Sequence, residues 1–235
     1  MTKTAIVLFN LGGPDRTESV EPFLFNLFND PAIISLPNPF RYLVAKLISR
    51  KRAPIAREIY EHLGGGSPLL PNTQAQASAL DAALSDIGVV KSFIAMRYWH
   101  PMSPETARAV AEWAPDEVLL LPLYPQFSST TTASSRRVWG EATQFAGLFA
   151  PTRLLCCYPD ETGFVEASAR LVAAGLARAA AHGAPRLLFS AHGLPKRVVE
   201  AGDPYQWQCE RTAAAILDRL ARDEFGWAGV DSVTC

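Results

Sequence analysis

Short apolar runs alternate along the chain with longer segments whose apolar residues recur every three or four positions. Short continuous runs are typical of buried strands, and the longer period is typical of helices that pack by one face. The runs predict strands at residues 4–9, 90–96, 117–124, 152–157 and 186–190. Strands that alternate with helices predict an α/β fold with parallel sheets.

Two helical segments stand out in the second half of the chain. Asp160 is the predicted N-cap of the first, because a short acidic side chain there can accept a hydrogen bond from the first turn. The apolar or small stripe of that helix comprises Phe164, Ser168, Leu171, Val172 and Leu176. The stripe of the second comprises Ala213, Ile216, Leu217 and Leu220. Each stripe predicts a helix with one buried face.

The two halves of the chain share a pattern at the end of an apolar run. "FNLGGP" at 9–14 and "FSAHGLP" at 189–195 both lead from phenylalanine through small polar residues to glycine and proline. With the break in the pattern near "QFAGLFAPTR", this predicts two α/β domains at residues 1–150 and 151–235. The final "AGVDSVTC" begins a further strand. We therefore expect the second domain to be incomplete and the chain to be truncated.

Composition and charge exclude several classes of protein. The 235 residues are 49% hydrophobic and carry a formal net charge of −1, which predicts a folded protein without a general affinity for nucleic acid. The N-terminus lacks the pattern of a signal peptide, and residues 22–44 are apolar but too interrupted to span a bilayer. A cytoplasmic location follows as the expectation. The cysteines lack C-x-x-C spacing, so buried free thiols are expected.

His192 occupies the position where ligands bind in open parallel sheets, just after a predicted strand. A neutral imidazole can accept a proton near neutral pH, and it can also bind a transition metal. The same position suits a histidine that only bonds to a neighbouring loop, and the residues alone leave both interpretations open. Among the other histidines, His100 in "RYWHP" is the strongest rival.

Several common active-site motifs are missing from the chain. "GGGSP" at 64–68 lacks the lysine and Ser/Thr of a phosphate-binding P-loop, and neither G-x-G-x-x-G nor G-x-S-x-G occurs. Arg97 and the cations of "SRKRAP" at 49–54 suit carboxylate binding, although a solvated helix end explains the latter equally well. With the hydroxyl-rich stretch 124–137 and nearby aromatics, these residues suggest a large, flat, apolar ligand with acidic groups.

Five stretches together resemble one family, the ferrochelatases, which insert ferrous iron into protoporphyrin IX in the last step of haem synthesis. The stretches are "FNLGGPD", "KRAP…Y…GGGSP", "RYWHP", "YPQFSSTTTASS" and "FSAHGLPKRVVEAGDPYQWQ". They follow the order of the family, and "GDPYQWQCE" is similar to its Gram-negative bacterial branch. The resemblance implies two Rossmann-like domains that hold the porphyrin between them, without ATP and without a permanently bound cofactor.

The resemblance also implies roles for particular residues. His192 matches the active-site histidine of the family, which acts as acceptor of the pyrrole protons, as iron ligand, or as both. The positions that match porphyrin contacts are Leu11, Arg52, Tyr60, Ser67, Arg97 and Tyr98. Residues 22–44 match the lip of the active site, which contacts the membrane surface in the family. Protoporphyrin IX and Fe²⁺ are thus the implied partners.

The sequence departs from the family pattern at two places. Ser129 stands where animal relatives have a cysteine that helps to hold an iron–sulfur cluster, so no cluster of that kind is predicted. The family continues beyond residue 235, and that part includes a catalytic glutamate. Two alternatives therefore stay open: a chelatase for another tetrapyrrole or metal, such as coproporphyrin or cobalt, and a fragment that binds porphyrin without catalysis.

Overall fold

The computed structural model of the protein describes residues 2–222 and 225–234. The described residues form two compact units. The first contains the chain up to Tyr124 together with Ser129–Cys156, and the second contains Pro125–Ser128 and the residues from Cys157 onward. A short piece of the predicted first domain, Pro125–Ser128, therefore belongs to the second unit. The sequence-based division into 1–150 and 151–235 stays a prediction.

The first unit is built on a parallel sheet with the strand order β2–β1–β3–β4. The strands are β1 (Lys3–Asn10), β2 (Val89–Met96), β3 (Glu117–Pro122) and β4 (Thr152–Leu154). β1 lies between β2 and β3, and its residues from Ala5 to Phe9 are all buried. Its apolar run is continuous because a central parallel strand is covered on both faces.

Helices cover both faces of this sheet. The helices of this unit are α1 (Val20–Phe28), α2 (Phe40–His62), α3 (Leu69–Ala83), α4 (Ser103–Trp113) and α5 (Thr132–Ala146). α3 covers one face of the sheet, and α4 and α5 cover the other. Successive side chains of a strand point to opposite faces. Phe9 accordingly packs against Trp139 of α5, with ring centroids 6.0 Å apart, whereas Leu8 packs against Ala77 of α3.

A separate apolar cluster joins α1 and α2 to the chain that follows β2. Its buried members are Val20, Phe23, Leu24, Ala53 and Tyr98. The partly buried Phe28, Tyr60 and Trp99 pack against them. This cluster fixes α2 beside the residues at the carboxyl end of β2. Among the described residues, no helix has both the length and the apolar character needed to cross a membrane.

The second unit contains a parallel pair of strands, β5 (Arg186–Phe189) and β6 (Asp231–Thr234). Its helices are α6 (Thr162–Ala180), α7 (Lys196–Glu200) and α8 (Tyr205–Leu220). The core between α6 and α8 comprises Val165, Ala169, Leu176, Ile216 and Leu220. Pro125–Ser128 binds to this unit through α8, because the Phe127 N–H donates to Gln208 Oε1 at 2.7 Å.

The predicted α/β class with parallel sheets is confirmed, and each predicted strand is present. The predictions for α6 are wrong in detail. Glu161, not Asp160, is the N-cap, and its carboxylate accepts from the Phe164 N–H at 2.8 Å. Asp160 instead pairs with Arg211 of α8. Leu171 is 77% exposed, whereas Phe164, Val172 and Leu176 pack in the core as predicted, together with Val165 and Ala169.

Candidate functional site

The carboxyl ends of β1 and β2 bring two motifs of the sequence side by side. Asn10 is opposite Met96 in the parallel register. The pairing continues past the strands, because the Arg97 N–H donates to the Asn10 carbonyl and the Tyr98 N–H to the Leu11 carbonyl, each at 2.9 Å. Leu11 is 37% exposed at this edge. "NLGGPD" and "RYWHP" therefore form one surface of the first unit.

The glycine-rich loop 64–68 packs against the same edge through its backbone. The Ser67 N–H donates to the Pro14 carbonyl at 2.7 Å. A Cβ on Gly66 would lie 2.6 Å from the Asp15 carbonyl oxygen, and one on Gly13 would lie 2.5 Å from Ser67 Cβ. The glycines permit this approach of two backbones, and the approach places Ser67 beside the "NLGGPD" turn.

Replacing Gly66 with alanine is expected to lower the free energy of unfolding of the protein by about 1–3 kcal/mol, the usual cost of forcing an extra methyl group into a packed position. The atom that the methyl group would meet is a backbone oxygen, which cannot rotate away as a side chain can. Urea unfolding followed by circular dichroism measures the change.

Gly140, in the middle of α5, provides the matched control. A Cβ there meets no atom within 4 Å, so Gly140→Ala should raise the free energy of unfolding by roughly 0.5–1 kcal/mol through helix propensity. Equal effects of the two substitutions would contradict the close approach at Gly66.

Asp30, which follows the C-cap of α1, organises the charged part of this edge. It is 2% exposed, and its Oδ2 accepts from Arg97 Nη2 at 2.6 Å, from the Tyr98 hydroxyl at 2.8 Å and from the Ser134 hydroxyl at 2.7 Å. Its Oδ1 accepts from the Ala32 N–H at 2.9 Å. One carboxylate therefore holds the segment after β2 against the first turn of α5.

The pKa values of this group follow from those contacts. Burial opposes the ionisation of Asp30, but the hydrogen bonds from Ala32 and Ser134 and the charge of Arg97 outweigh it and lower its pKa. Burial, and then the neighbouring Asp30 charge, raises the pKa of Tyr98 far above its usual value. The network is thus a carboxylate paired with a guanidinium and a neutral phenol.

The remaining residues that the resemblance selects in this unit lie on α2. Tyr60 is half-buried against the α1–α2 cluster, and burial raises its pKa. Arg52 is exposed, and its guanidinium carbon lies 5.7 Å from the centroid of the Phe28 ring, within the range of a cation–π contact. α2 thus presents one cation beside the aromatic groups that pack around Tyr98.

His192 lies in the second unit, in the segment between β5 and α7 that forms neither helix nor strand. Its side chain is exposed. It lines two cavities of about 410 and 200 Å³, which it shares with Tyr205 and Cys209. The imidazole is therefore accessible to a ligand from solvent, as a catalytic base or a metal ligand must be.

The rival histidine has a local partner. His100 Nδ1 lies 2.6 Å from Glu105 Oε1, and both side chains are about half exposed. This pair joins the turn after β2 to the start of α4, so it serves the local structure. Within residues 2–222 and 225–234, no cluster of three or more His, Cys, Asp or Glu side chains has a metal-binding arrangement.

The cysteines differ in exposure from what the sequence predicts. Cys156 is exposed, and Cys157 and Cys209 are partly buried, so the prediction of buried thiols is wrong for Cys156. Cys156 is solvent-exposed because it follows the short β4, beyond the last pairing with β3. Cys235 lies outside the described residues.

Sequence reasoning missed Asp30, Ser134 and Tyr205. A carboxylate within the otherwise apolar stretch 22–44 is the one signal that could have singled out Asp30. Of the residues that it did select, Leu11, Ser67, Arg97 and Tyr98 meet at the β1–β2 edge, and Arg52 and Tyr60 lie on the helix that packs there. His192 belongs to the second unit.

The polar, glycine-lined edge at the strand ends lies where ligands bind in open parallel α/β sheets. Comparison with known proteins is more specific. A family model described as Ferrochelatase matches residues 3–230. The chain therefore belongs to the ferrochelatase family.

Individual relatives agree with this assignment. The chain is 55% identical over 221 residues to a ferrochelatase of Caulobacter vibrioides, a match that covers 93% of this chain and 63% of the relative. It is 55% identical over 222 residues to a ferrochelatase of Phenylobacterium zucineum, covering 93% and 64%. A ferrochelatase of the Wolbachia of Drosophila simulans is 49% identical over 228 residues, covering 96% and 72%.

Proposed function

We propose that the protein binds protoporphyrin IX and inserts ferrous iron into it, with His192 as acceptor of the pyrrole protons, as ligand of the incoming iron, or as both. The observation that carries the proposal is the grouping, in a member of this family, of Leu11, Ser67, Arg97 and Tyr98 at one sheet edge, with α2 packed beside them. An apolar ring with carboxylate substituents suits this combination of aromatic and cationic groups.

The reaction exchanges two pyrrole N–H protons for one Fe²⁺, so the protein must remove protons and hold the ring in place. The exposed imidazole of His192 can accept a proton from a ring placed next to it, and general-base catalysis of this kind contributes roughly a hundredfold to ten-thousandfold to a rate. Fe²⁺ is the second substrate, and an imidazole nitrogen is among its preferred ligands.

The two arginines have different tasks in this proposal. Arg97 Nη2 and Nε donate to Asp30 and Ser134, so its guanidinium is held rigidly and directs its remaining N–H groups. Arg52 is exposed on α2 and can move toward a propionate. Tyr98 is 1% exposed, and in this arrangement it supports the site through Asp30 rather than by presenting its hydroxyl.

The lip at residues 22–44 is proposed to contact the membrane surface, where porphyrin partitions. It contains most of α1 and the first turn of α2, where Phe40 is 62% exposed and Leu43 59%. The part of α2 that directly follows the lip adds Leu47, which is 70% exposed, and the cations Lys46 and Arg50. Apolar groups flanked by cations favour binding to an anionic lipid interface. The protein would then act in the cytoplasm at that surface.

The experiment that tests the function combines two measurements on the same chain. Quenching of intrinsic fluorescence by protoporphyrin IX and by coproporphyrin measures binding, and the change in the porphyrin absorption spectrum with Fe²⁺ or Co²⁺ measures insertion. Binding with insertion of Fe²⁺ into protoporphyrin IX supports the proposal. Absence of porphyrin binding would overturn it, and a preference for coproporphyrin or Co²⁺ would assign the chain to the alternative chelatases.

A second candidate is porphyrin binding without catalysis. The chain spans 63% of the length of the Caulobacter vibrioides relative, and this motivates the candidate. Saturable quenching by protoporphyrin IX without any insertion of Fe²⁺ would support it. The same titration therefore separates the two candidates.

Arg52→Gln is expected to weaken protoporphyrin binding roughly tenfold. A hydrogen bond to a charged group is worth about 1.5–3 kcal/mol, and the exposure of Arg52 places the loss at the lower end of that range. Fluorescence titration measures the dissociation constant. The matched control is Arg50→Gln, because Arg50 lies on the same helix and pairs with Glu21 instead. Equal losses in both variants would show that only the net charge of α2 matters.

A further inference from the structure

The guanidinium of Arg97 is bound along one edge by two buried side chains. Its Nε–H donates to the Ser134 hydroxyl oxygen at 2.9 Å, and its Nη2 donates to Asp30 Oδ2 at 2.6 Å. The Ser134 hydroxyl in turn donates to the same Asp30 oxygen at 2.7 Å. The three side chains therefore close a ring of hydrogen bonds in which each member fixes the other two.

Ser134 is the member that links the arginine to the helix behind it. It lies in the first turn of α5 and is 2% exposed. A serine hydroxyl has a single proton to donate and two lone pairs that accept. Because Asp30 takes the proton, the Ser134 oxygen is left to accept from Arg97. The hydroxyl thus fixes both the position and the rotation of the guanidinium.

The outer edge of the guanidinium is left for another group. Of the five N–H groups of an arginine, the Nε–H and one Nη2–H take part in the ring, so both Nη1–H groups and the second Nη2–H remain. Within the part of the chain that the structure describes, Arg97 donates to no other side chain. Its side chain is 13% exposed, and Nη1 is not among the buried polar atoms that lack a partner. Solvent therefore reaches this edge.

A carboxylate is the group that fits the outer edge. Its two oxygens match a parallel pair of N–H groups, one from Nη1 and one from Nη2, and such a bidentate pair is strong only when the fork is correctly oriented. Arg97 follows β2 beside Leu11, which is 37% exposed at the same edge of the sheet. An apolar ligand with an acidic substituent therefore finds both an apolar contact and an oriented cation there.

We propose that Ser134 is a positioning residue for substrate binding: with Asp30 it fixes the guanidinium of Arg97, so that Nη1 and Nη2 receive one carboxylate of the substrate. The proposal deepens the proposed function and rests on it for the identity of the ligand, whose propionates supply the carboxylate. Ser134 acts through Arg97 and does not itself contact the substrate.

The test compares protoporphyrin IX with its dimethyl ester, which keeps the ring and removes the charge of both carboxylates. Ser134→Ala removes the acceptor of the Arg97 Nε–H and leaves the guanidinium with Asp30 alone. The variant should bind protoporphyrin IX roughly two- to tenfold more weakly, the range for loss of one hydrogen bond, and the ester within about twofold of the unaltered protein. Fluorescence quenching measures both dissociation constants.

A second readout follows the guanidinium directly and needs no ligand. The Arg97 Nε–H should exchange slowly with water in NMR spectra, because it is bonded to the oxygen of a buried hydroxyl. Ser134→Ala should accelerate this exchange roughly two- to tenfold. The spectrum of an Arg97→Lys variant assigns the signal, since lysine has no guanidinium.

The matched control is Ser135→Ala, the same change at the next residue of α5. Ser135 is 3% exposed, and its hydroxyl lies 2.6 Å from the Tyr124 hydroxyl instead of bonding to Arg97. Its removal should leave the Arg97 signal and the ratio of the two dissociation constants unchanged. Equal effects of the two substitutions would overturn the role of Ser134, because they would reflect a general loosening of α5.

The remaining outcomes separate this proposal from the proposed function. Equal weakening of acid and ester binding in Ser134→Ala, or unchanged exchange of the Arg97 Nε–H, would overturn the positioning role and leave porphyrin binding in place. Weakening confined to the acid, in a chain that inserts no iron, would support the positioning role and refute the catalytic part of the proposed function. Absence of protoporphyrin binding in the unaltered chain would overturn both.

Discussion

Replacing His192 with alanine is expected to slow iron insertion by roughly a hundredfold to ten-thousandfold, the usual contribution of a positioned general base. Affinity for protoporphyrin should change less than about threefold, because an imidazole that meets only the reacting nitrogens or the metal adds little to the binding of the ring. The expectation rests on the exposure of the side chain and on the cavities that it lines. Steady-state absorption kinetics and fluorescence titration of the same preparation measure both quantities.

His182→Ala is the matched control for this substitution. His182 is an exposed histidine of the second unit, in the turn after α6, and it lines neither cavity at His192. Its removal should leave the rate of insertion within about twofold of the original. A His192→Ala protein that inserts iron at an unchanged rate would refute the assignment, and equal losses in both variants would point to a general effect on the unit.

Local patterns in the sequence are sufficient to predict the strands of the parallel sheet. The run at Ala5–Phe9 predicts a strand because every residue is apolar, and it is buried because β2 and β3 flank it and helices cover both faces. The position of the polar residues that follow these strands can then be predicted as well, since parallel strands place their carboxyl ends at one edge of the sheet. The order of strands and loops along the chain is therefore enough to assign Leu11 and Arg97 to one edge.

The partners of charged side chains could not be predicted in this way. Arg97 and Asp30 are 67 residues apart, and Ser134 and Asp30 are 104 apart, so no local period connects them. The N-cap of α6 could not be predicted for the same reason, because it depends on an ion pair with a distant residue. Asp160 and Glu161 are adjacent carboxylates, and Arg211, 51 residues away, binds Asp160 and leaves Glu161 to cap the helix.

The roles of Arg52 and Tyr60 came from the resemblance and not from physical chemistry. Composition alone favours a solvated helix for "RKR", and the structure has Arg52 exposed on the middle of α2. The structure distinguishes the two arginines, Arg52 and Arg97, by their surroundings. The Arg97 side chain is 13% exposed and paired with the buried carboxylate of Asp30. Removing that carboxylate would leave a largely buried charge without its partner, which is costly, whereas a surface arginine would stay solvated.

The Asp30 network leads to the second large expectation: Asp30→Asn should lower the free energy of unfolding by about 3–5 kcal/mol, the usual cost of removing one partner of a buried ion pair. The amide keeps the size of the side chain but leaves Arg97 uncompensated, and its NH₂ group faces donors instead of accepting from them. Urea unfolding at neutral pH measures the difference. Asp86→Asn, the same change at an exposed aspartate of the first unit, should stay within about 0.5 kcal/mol.

The difference between the Asp30→Asn variant and the unaltered protein should also depend on pH in a defined direction. The pKa of Asp30 is lower in the folded protein than the value of about 3.9 expected for an unfolded chain. Its contribution to stability is therefore fully present above about pH 5 and is lost as the pH falls through the folded-state pKa. Unfolding curves recorded from pH 7 down to the acid limit of the native protein should show the gap between the two proteins narrowing on acidification. A gap that stays constant or widens would mean that the negative charge of Asp30 does not contribute to the stability of the fold.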